Sequence, residues 1–252
     1  MLHARVMKLR SKGHLDLMQS ITRDNLPHVD YHIHTTWTDG ANSVLEMYNK
    51  SIQCGLSSIL FTEHARKTSG DWFPEFVREI RSLPPSGCQA LVGIETKIED
   101  FSGALDCTPA ILAEVDLVMA SVHRFPGEKG TVRGFGDVKP ADAVDIEFRL
   151  AIAILENPEV DILGHPFGMC YRRYHIRPPQ EKMRGLIEMA ARTGVAFEVN
   201  AHYHPDPWQL VQWCLKAGAT LSLGSNAHSI DEVGRVVRIR EGKEQPWCPS
   251  EF

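Results

Sequence analysis

Twelve histidines stand in a chain of 252 residues, and many of them fall in short motifs beside acids, amides and hydroxyls. The first motif is Asp30-Tyr31-His32-Ile33-His34, which runs on to Thr38-Asp39-Gly40. Further along come Thr62-Glu63-His64, Gly93-Ile94-Glu95, Ser121-Val122-His123, Gly164-His165-Pro166, Glu198-Val199-Asn200 and Gly224-Ser225-Asn226-Ala227-His228. A lone histidine is most often packing or a cap. The pair His32-x-His34 differs, because alternate residues of a strand share a face and two imidazoles can grip one ion. Imidazole mixed with carboxylate suits divalent transition metals, so the set points to a metal centre wherever the motifs meet.

The elements that would bring them together are legible as an alternation. Short β-rich runs cover 28–32, 57–61, 89–94, 116–121, 161–164, 195–199 and 220–223. Between and after them, apolar residues at three- and four-residue spacing predict helices over 43–54, 74–82, 109–114, 141–156, 180–193, 206–217 and 229–240. Alternating β and α implies a mainly parallel sheet, since parallel strands need a crossover. Seven units without a long linker predict a closed or nearly closed α/β barrel, with an open doubly wound sheet as the alternative. In a barrel the active site gathers at the C-terminal ends of the strands, and every predicted strand ends at one of the motifs above.

Composition narrows the function classes. With 43% hydrophobic and 23% charged residues the chain is globular. A formal charge of −5 argues against a broad nucleic-acid-binding face, which usually carries a basic excess. No apolar run approaches the ~18 residues of a membrane span. Residues 1–25 lack the apolar centre of a signal peptide, so a cytoplasmic location is expected. Cysteines 54, 88, 107, 170, 214 and 248 form no CxxC pair and read as reduced thiols. Residues 1–27 are expected to be an N-terminal extension, helical in character, and 28–252 the barrel.

Taken in order, His32-x-His34, Asp39-Gly40, Thr62-Glu63-His64, Gly93-Ile94-Glu95, Ser121-Val122-His123, Gly164-His165-Pro166, Glu198-Val199-Asn200 and Gly224-Ser225-Asn226-Ala227-His228 resemble the PHP (polymerase and histidinol phosphatase) family. The resemblance runs from about residue 28 to residue 240. It implies a distorted (β/α)7 barrel that binds up to three divalent ions, with Zn, Mn and Fe all compatible, and phosphoesterase activity. His32 and His34 would hold the first ion, with Glu95 bridging to a second and Asn226 at a further position. His123 and His165 would complete the second, and Asp39, His64 and His228 would hold the third. Two residues depart from the family pattern. Asn226 stands where Asp is usual, a neutral and weaker ligand, and Glu63 stands where Asp is commoner.

Three divalent ions against two carboxylates leave a strongly positive site, matched to a phosphate ester whose charge grows on oxygen during transfer. The expected reaction is histidinol-phosphatase-like hydrolysis of a small phosphomonoester by a hydroxide shared between two ions. Glu95 and His228 are the catalytic candidates, and His202 is the candidate proton donor to the leaving group. Arg124, Arg172, Arg173 and Arg177 are the candidate phosphate contacts, since a guanidinium fork fits phosphate. A nuclease or nucleic-acid end phosphatase is the alternative, and a non-catalytic metal-binding module a further one. Glu198 is expected to orient a ligand rather than to be one.

Overall fold

A computed structural model describes residues 21–127, 131–237 and 239. Seven strands form one parallel sheet: β1 (Val29–Ile33), β2 (Ser58–Glu63), β3 (Gln89–Lys97), β4 (Leu117–Ser121), then β7 (Ile162–Leu163), β8 (Ala196–Asn200) and β9 (Leu221–Gly224), neighbours in that order. Between β4 and β7 lies a small antiparallel hairpin of β5 (Phe125–Pro126) and β6 (Val132–Arg133). A bridge between Ile33 and Ala227 joins the two edges, with His34 N–H donating to the Ala227 carbonyl at 2.8 Å. The sheet is thus nearly closed into a barrel, which decides against the open alternative.

Helices alternate with the strands: α1 (Val44–Gln53), α2 (Phe73–Arg81), α3 (Pro109–Glu114), α4 (Pro140–Glu156), α5 (Gly168–Arg172), α6 (Gln180–Thr193) and α7 (Pro207–Ala217). Local chemistry sets their ends. Ser43 and Glu46 form a reciprocal capping box at the start of α1. Gly194 and Gly218, both left-handed at φ 75° and 69°, end α6 and α7.

Both faces of the strands are buried, as a barrel wrapped in helices requires. In β2, Leu60 joins the barrel interior with Leu91, Leu117, Met119, Ile162 and Ala196. Its neighbours Ile59 and Phe61 pack outward against the helices instead. This alternation carries Glu95, four residues beyond Leu91, onto the interior face at the C-terminal rim. β1 breaks it: Tyr31 is interior, yet Ile33 packs outward, and the register slips between Asp30 and Ile33. That bulge re-aims the strand and turns His32 and His34 inward together.

Several expectations are corrected. Over 230–236 the chain forms turns rather than part of a helix spanning 229–240. Gly234 takes φ 77° there, and its N–H donates to Asp30 Oδ2 at 3.1 Å, which replaces helical bonding with a tie to β1. The hairpin β5–β6 and helix α5 were not anticipated. The expected N-terminal helix falls largely outside the described residues. Within it, 23–25 make a turn, with Ile21 and Leu26 buried in the core. Cys54, Cys88, Cys107, Cys170 and Cys214 are free thiols, while Cys248 lies outside the described residues. Among the described residues no helix is long and apolar enough to cross a membrane.

Candidate metal centre

Glu95 is the hub. It is buried at the end of β3, and its two oxygens face different histidines. Oε1 lies 3.0 Å from His123 Nε2 and 2.8 Å from His165 Nε2. Oε2 lies 3.1 Å from His64 Nδ1, 3.5 Å from His32 Nε2 and 3.6 Å from His34 Nε2. The half-exposed Asp39 gathers a second group, with Oδ2 3.2 Å from His64 Nε2 and Oδ1 3.5 Å from His228 Nε2. Strand alternation explains the convergence, since 64 follows Leu60 and 123 follows Met119 at even spacing.

The donors fall into overlapping sets of metal-ligand spacing: His32, His34 and Glu95; His64, Glu95 and His123; and His34, Asp39, His64 and His228. His34 therefore serves two sets, Nε2 towards His32 and Glu95, and Nδ1 towards Asp39 at 3.8 Å, where the resemblance had given it to one ion. Asn226, left-handed at φ 54°, lines the same cavity as Asp39, His64, Glu95, His123, His165 and His228. Its carbonyl accepts from His228 Nδ1 at 2.9 Å, which leaves Nε2 turned to the site.

These residues fit a cluster of cations. His34 Nδ1 and His64 Nδ1 are buried without a hydrogen bond. Ring nitrogens confront one another at 3.1 Å (His32–His34) and 3.3 Å (His123–His165), an arrangement a shared electrophile satisfies. Burial and the neighbouring charges of His64 and His32 hold the His34 pKa well below the histidine range, and burial brings His123 to about 4. Both are thus neutral, the ligating form. Burial opposes charge on His32 and His64 as well. There it is outweighed, by Glu198 and Glu95 at His32 (about 10) and by Asp39 and Glu95 at His64 (about 9). The acids demand positive charge in this space.

Outer partners fix the donor side chains. Glu198 on β8 accepts from His32 Nδ1 at 2.8 Å, the His165 N–H at 2.5 Å and Asn200 Nδ2 at 2.8 Å. Asp30, buried on β1, accepts the N–H groups of Ser225 and Gly234. Glu63 stands outside the donor set: it accepts from the Thr35 N–H at 2.7 Å and from Thr38 Oγ1, tying β2 to the first loop.

A PHP domain family model matches residues 30–202, more than half of the chain. The chain belongs to the PHP domain family. A protein of Acetivibrio thermocellus named a probable phosphatase is 28% identical over 236 residues, 89% of each chain. The PolX DNA polymerase/3'-5' exonuclease of Bacillus subtilis is 32% identical over 217 residues, which is 80% of this chain. The chain spans about a third (34%) of that relative's length. Among solved structures, a protein of Listeria monocytogenes provisionally named a histidinol phosphatase superposes with a TM-score of 0.68 at 17% identity, covering 82% of this chain and 97% of its own. A histidinol phosphate phosphatase of Lactococcus lactis, solved with zinc, L-histidinol and phosphate, gives 0.56 at 17% identity, covering 84% and 93%. Membership of this family agrees with the overlapping donor sets of metal-ligand spacing at the strand ends.

Around the PHP centre the expected substrate contacts separate. Arg124, Arg172 and Arg173 line the cavity, and the Arg172 guanidinium sits 5.5 Å from the Tyr203 ring centroid. Arg177 does not line it; its Nη1 pairs with Asp206 at 2.9 Å. His202 does not line it either, standing edge-on to Tyr203. Burial, with Arg172 and Arg235 nearby, lowers the His202 pKa to about 4, so the ring is neutral at neutral pH. Its companion His204 is a strut, with Nδ1 accepting from the Asn200 N–H and Nε2–H donating to the Pro166 carbonyl. Sequence reasoning passed over Arg66, Lys97 and Tyr203, which also line the cavity. The first two were findable, since they stand two residues beyond His64 and Glu95, as His34 does beyond His32.

Proposed function

We propose that this PHP protein hydrolyses a small phosphomonoester by chemistry like that of the histidinol phosphatases. His32, His34, Asp39, His64, Glu95, His123, His165, Asn226 and His228 hold up to three divalent ions, with Zn, Mn or Fe compatible. Such ions polarise phosphoryl oxygens and acidify water. The protein's own part is to place them. Glu95 presents one oxygen to each of two histidine groups, and this division is the observation that carries the reading. Asp39 and His228 frame the third position. Arg124, Arg172 and Arg173 orient the phosphoryl group from the rim and neutralise charge gathering on its oxygens.

The test is phosphate release from a panel of phosphomonoesters with added Mn²⁺ or Zn²⁺, with the Glu95→Gln variant beside the wild type. Loss of one bridging charge is expected to lower kcat by at least about 10²-fold, and unchanged turnover would overturn the reading. The likeness to PolX sustains a second reading, a nuclease or nucleic-acid end phosphatase. Release from oligonucleotides alone would select it, and silence on both classes would leave a metal-binding module.

A further inference from the structure

Five cationic side chains line the cavity above the donor cluster: Arg66, Lys97, Arg124, Arg172 and Arg173. The acids that line it, Asp39 and Glu95, both belong to the metal-ligand sets. Arg66 and Lys97 come from the rim of the first half of the barrel, Arg172 and Arg173 from α5 and just beyond it, so the charge rings the mouth. Arg124 stands close enough to Arg66 for the two charges to repel, and Arg172 and Arg173 make a second such pair. Asp106 offsets part of this, 3.0 Å from Lys97 Nζ and 3.8 Å from Arg66 Nε. Arg66 is held in place besides by Nη1 bonds to the carbonyls of Ala65 and Glu95.

A phosphomonoester brings at most two negative charges on one phosphoryl group, and the ions of the centre face that group already. One or two guanidinium forks complete its recognition. The remaining cations, offset only in part by Asp106, repel an alcohol that carries an ammonium group. They match an alcohol with an anion of its own. The cavity, about 270 Å³, has room for a phosphoryl group and a short carbon skeleton, which keeps the second anion within reach of the rim.

We propose that the substrate is a phosphomonoester whose alcohol part carries a second anionic group, a carboxylate or a second phosphate, recognised by Lys97, Arg66 and Arg172 of the rim. This rests on the phosphomonoesterase reading and adds to it the charge of the leaving alcohol. The reaction balances as hydrolysis: water adds, the P–O bond to the alcohol breaks, and inorganic phosphate and the anionic alcohol leave.

The experiment compares kcat/KM of the metal-loaded protein for 3-phosphoglycerate (carboxylate), propane-1,3-diol bisphosphate (second phosphate), glycerol 3-phosphate (neutral) and ethanolamine phosphate (cationic). At least one anion-ended ester is expected to exceed the neutral one by about tenfold or more, chiefly through KM. The excess should shrink as salt screens the rim. Which anion-ended ester leads identifies the second group. The Lys97→Met variant should narrow the ratio between the anion-ended and neutral esters. Equal turnover of all four, or preference for the neutral or cationic ester, would overturn the proposal and leave the phosphomonoesterase reading standing. An anion preference that Lys97→Met leaves at full size would overturn the part assigned to Lys97. Release of phosphate from none would overturn the phosphomonoesterase reading and this proposal with it.

Discussion

At the scale of single residues, the histidines of the site are positioned by carboxylates outside the donor sets. Glu198 takes the Nδ1 proton of His32 and so fixes Nε2 towards His34 and Glu95. It reaches that position only because residue 224 has no side chain: a Cβ there would lie 2.1 Å from Glu198 Oε1 and 2.7 Å from the His32 Cβ. Two substitutions far apart in sequence should therefore act alike. Glu198→Gln is expected to weaken Zn²⁺ or Mn²⁺ binding by about 10–100-fold, and Gly224→Ala should do the same by displacing the carboxylate. Chelator competition measures both, with circular dichroism to show that the fold persists; wild-type affinity in Glu198→Gln would sever the link. Most of the proposed donors stand at or just past a strand end, which is what made them readable as a set. Lys97 and Arg66 were readable only from their spacing, two residues beyond Glu95 and His64, since by type alone a basic residue at the end of a strand resembles any solvated one.

At the scale of elements, the alternation of β and α was open to reading because strands buried on both faces carry continuous apolar runs. What escaped was decided by tertiary bonds. The bulge in β1 leaves no compositional trace, as Asp30-Tyr31-His32-Ile33 reads as an ordinary strand. The stretch 229–236 has helical spacing, yet Asp30 takes the N–H of Gly234 and turns win. Helix α5 was equally hidden, as it depends on Glu147 of α4, whose buried carboxyl accepts the N–H groups of Met169 and Cys170 at 3.1 and 2.8 Å. Burial pushes the Glu147 pKa up from 4.5 to about 7 despite those bonds. Between these values the unfolded chain has released the proton and the folded one keeps it, so this contribution is whole below pH 4.5 and fades as pH rises through 7. It is on the order of 3 kcal/mol. Urea denaturation at pH 5 and 7.5 should show a smaller pH dependence in Glu147→Gln than in the wild type; equal slopes would refute the assignment.

At the scale of the whole molecule, the donor cluster draws side chains from β1 and β3 and from the segments that follow β1, β2, β4, β7 and β9. Cations held there would cross-link most of the barrel, including the seam where Ile33 meets Ala227. Binding at about 100 times Kd adds about 2.7 kcal/mol of stability, equivalent to roughly 5–10 °C in a domain of this size. Stripping metal with EDTA should lower Tm by that much, and restoring Zn²⁺ or Mn²⁺ should recover it; a melting curve indifferent to both would argue against a resident ion. The irregular first strand has an evolutionary corollary. Because the slip between Asp30 and Ile33 aims the paired imidazoles, losing one codon in that stretch would exchange isoleucine for histidine at the mouth. Descendants of this sequence should accumulate substitutions there far more readily than insertions or deletions.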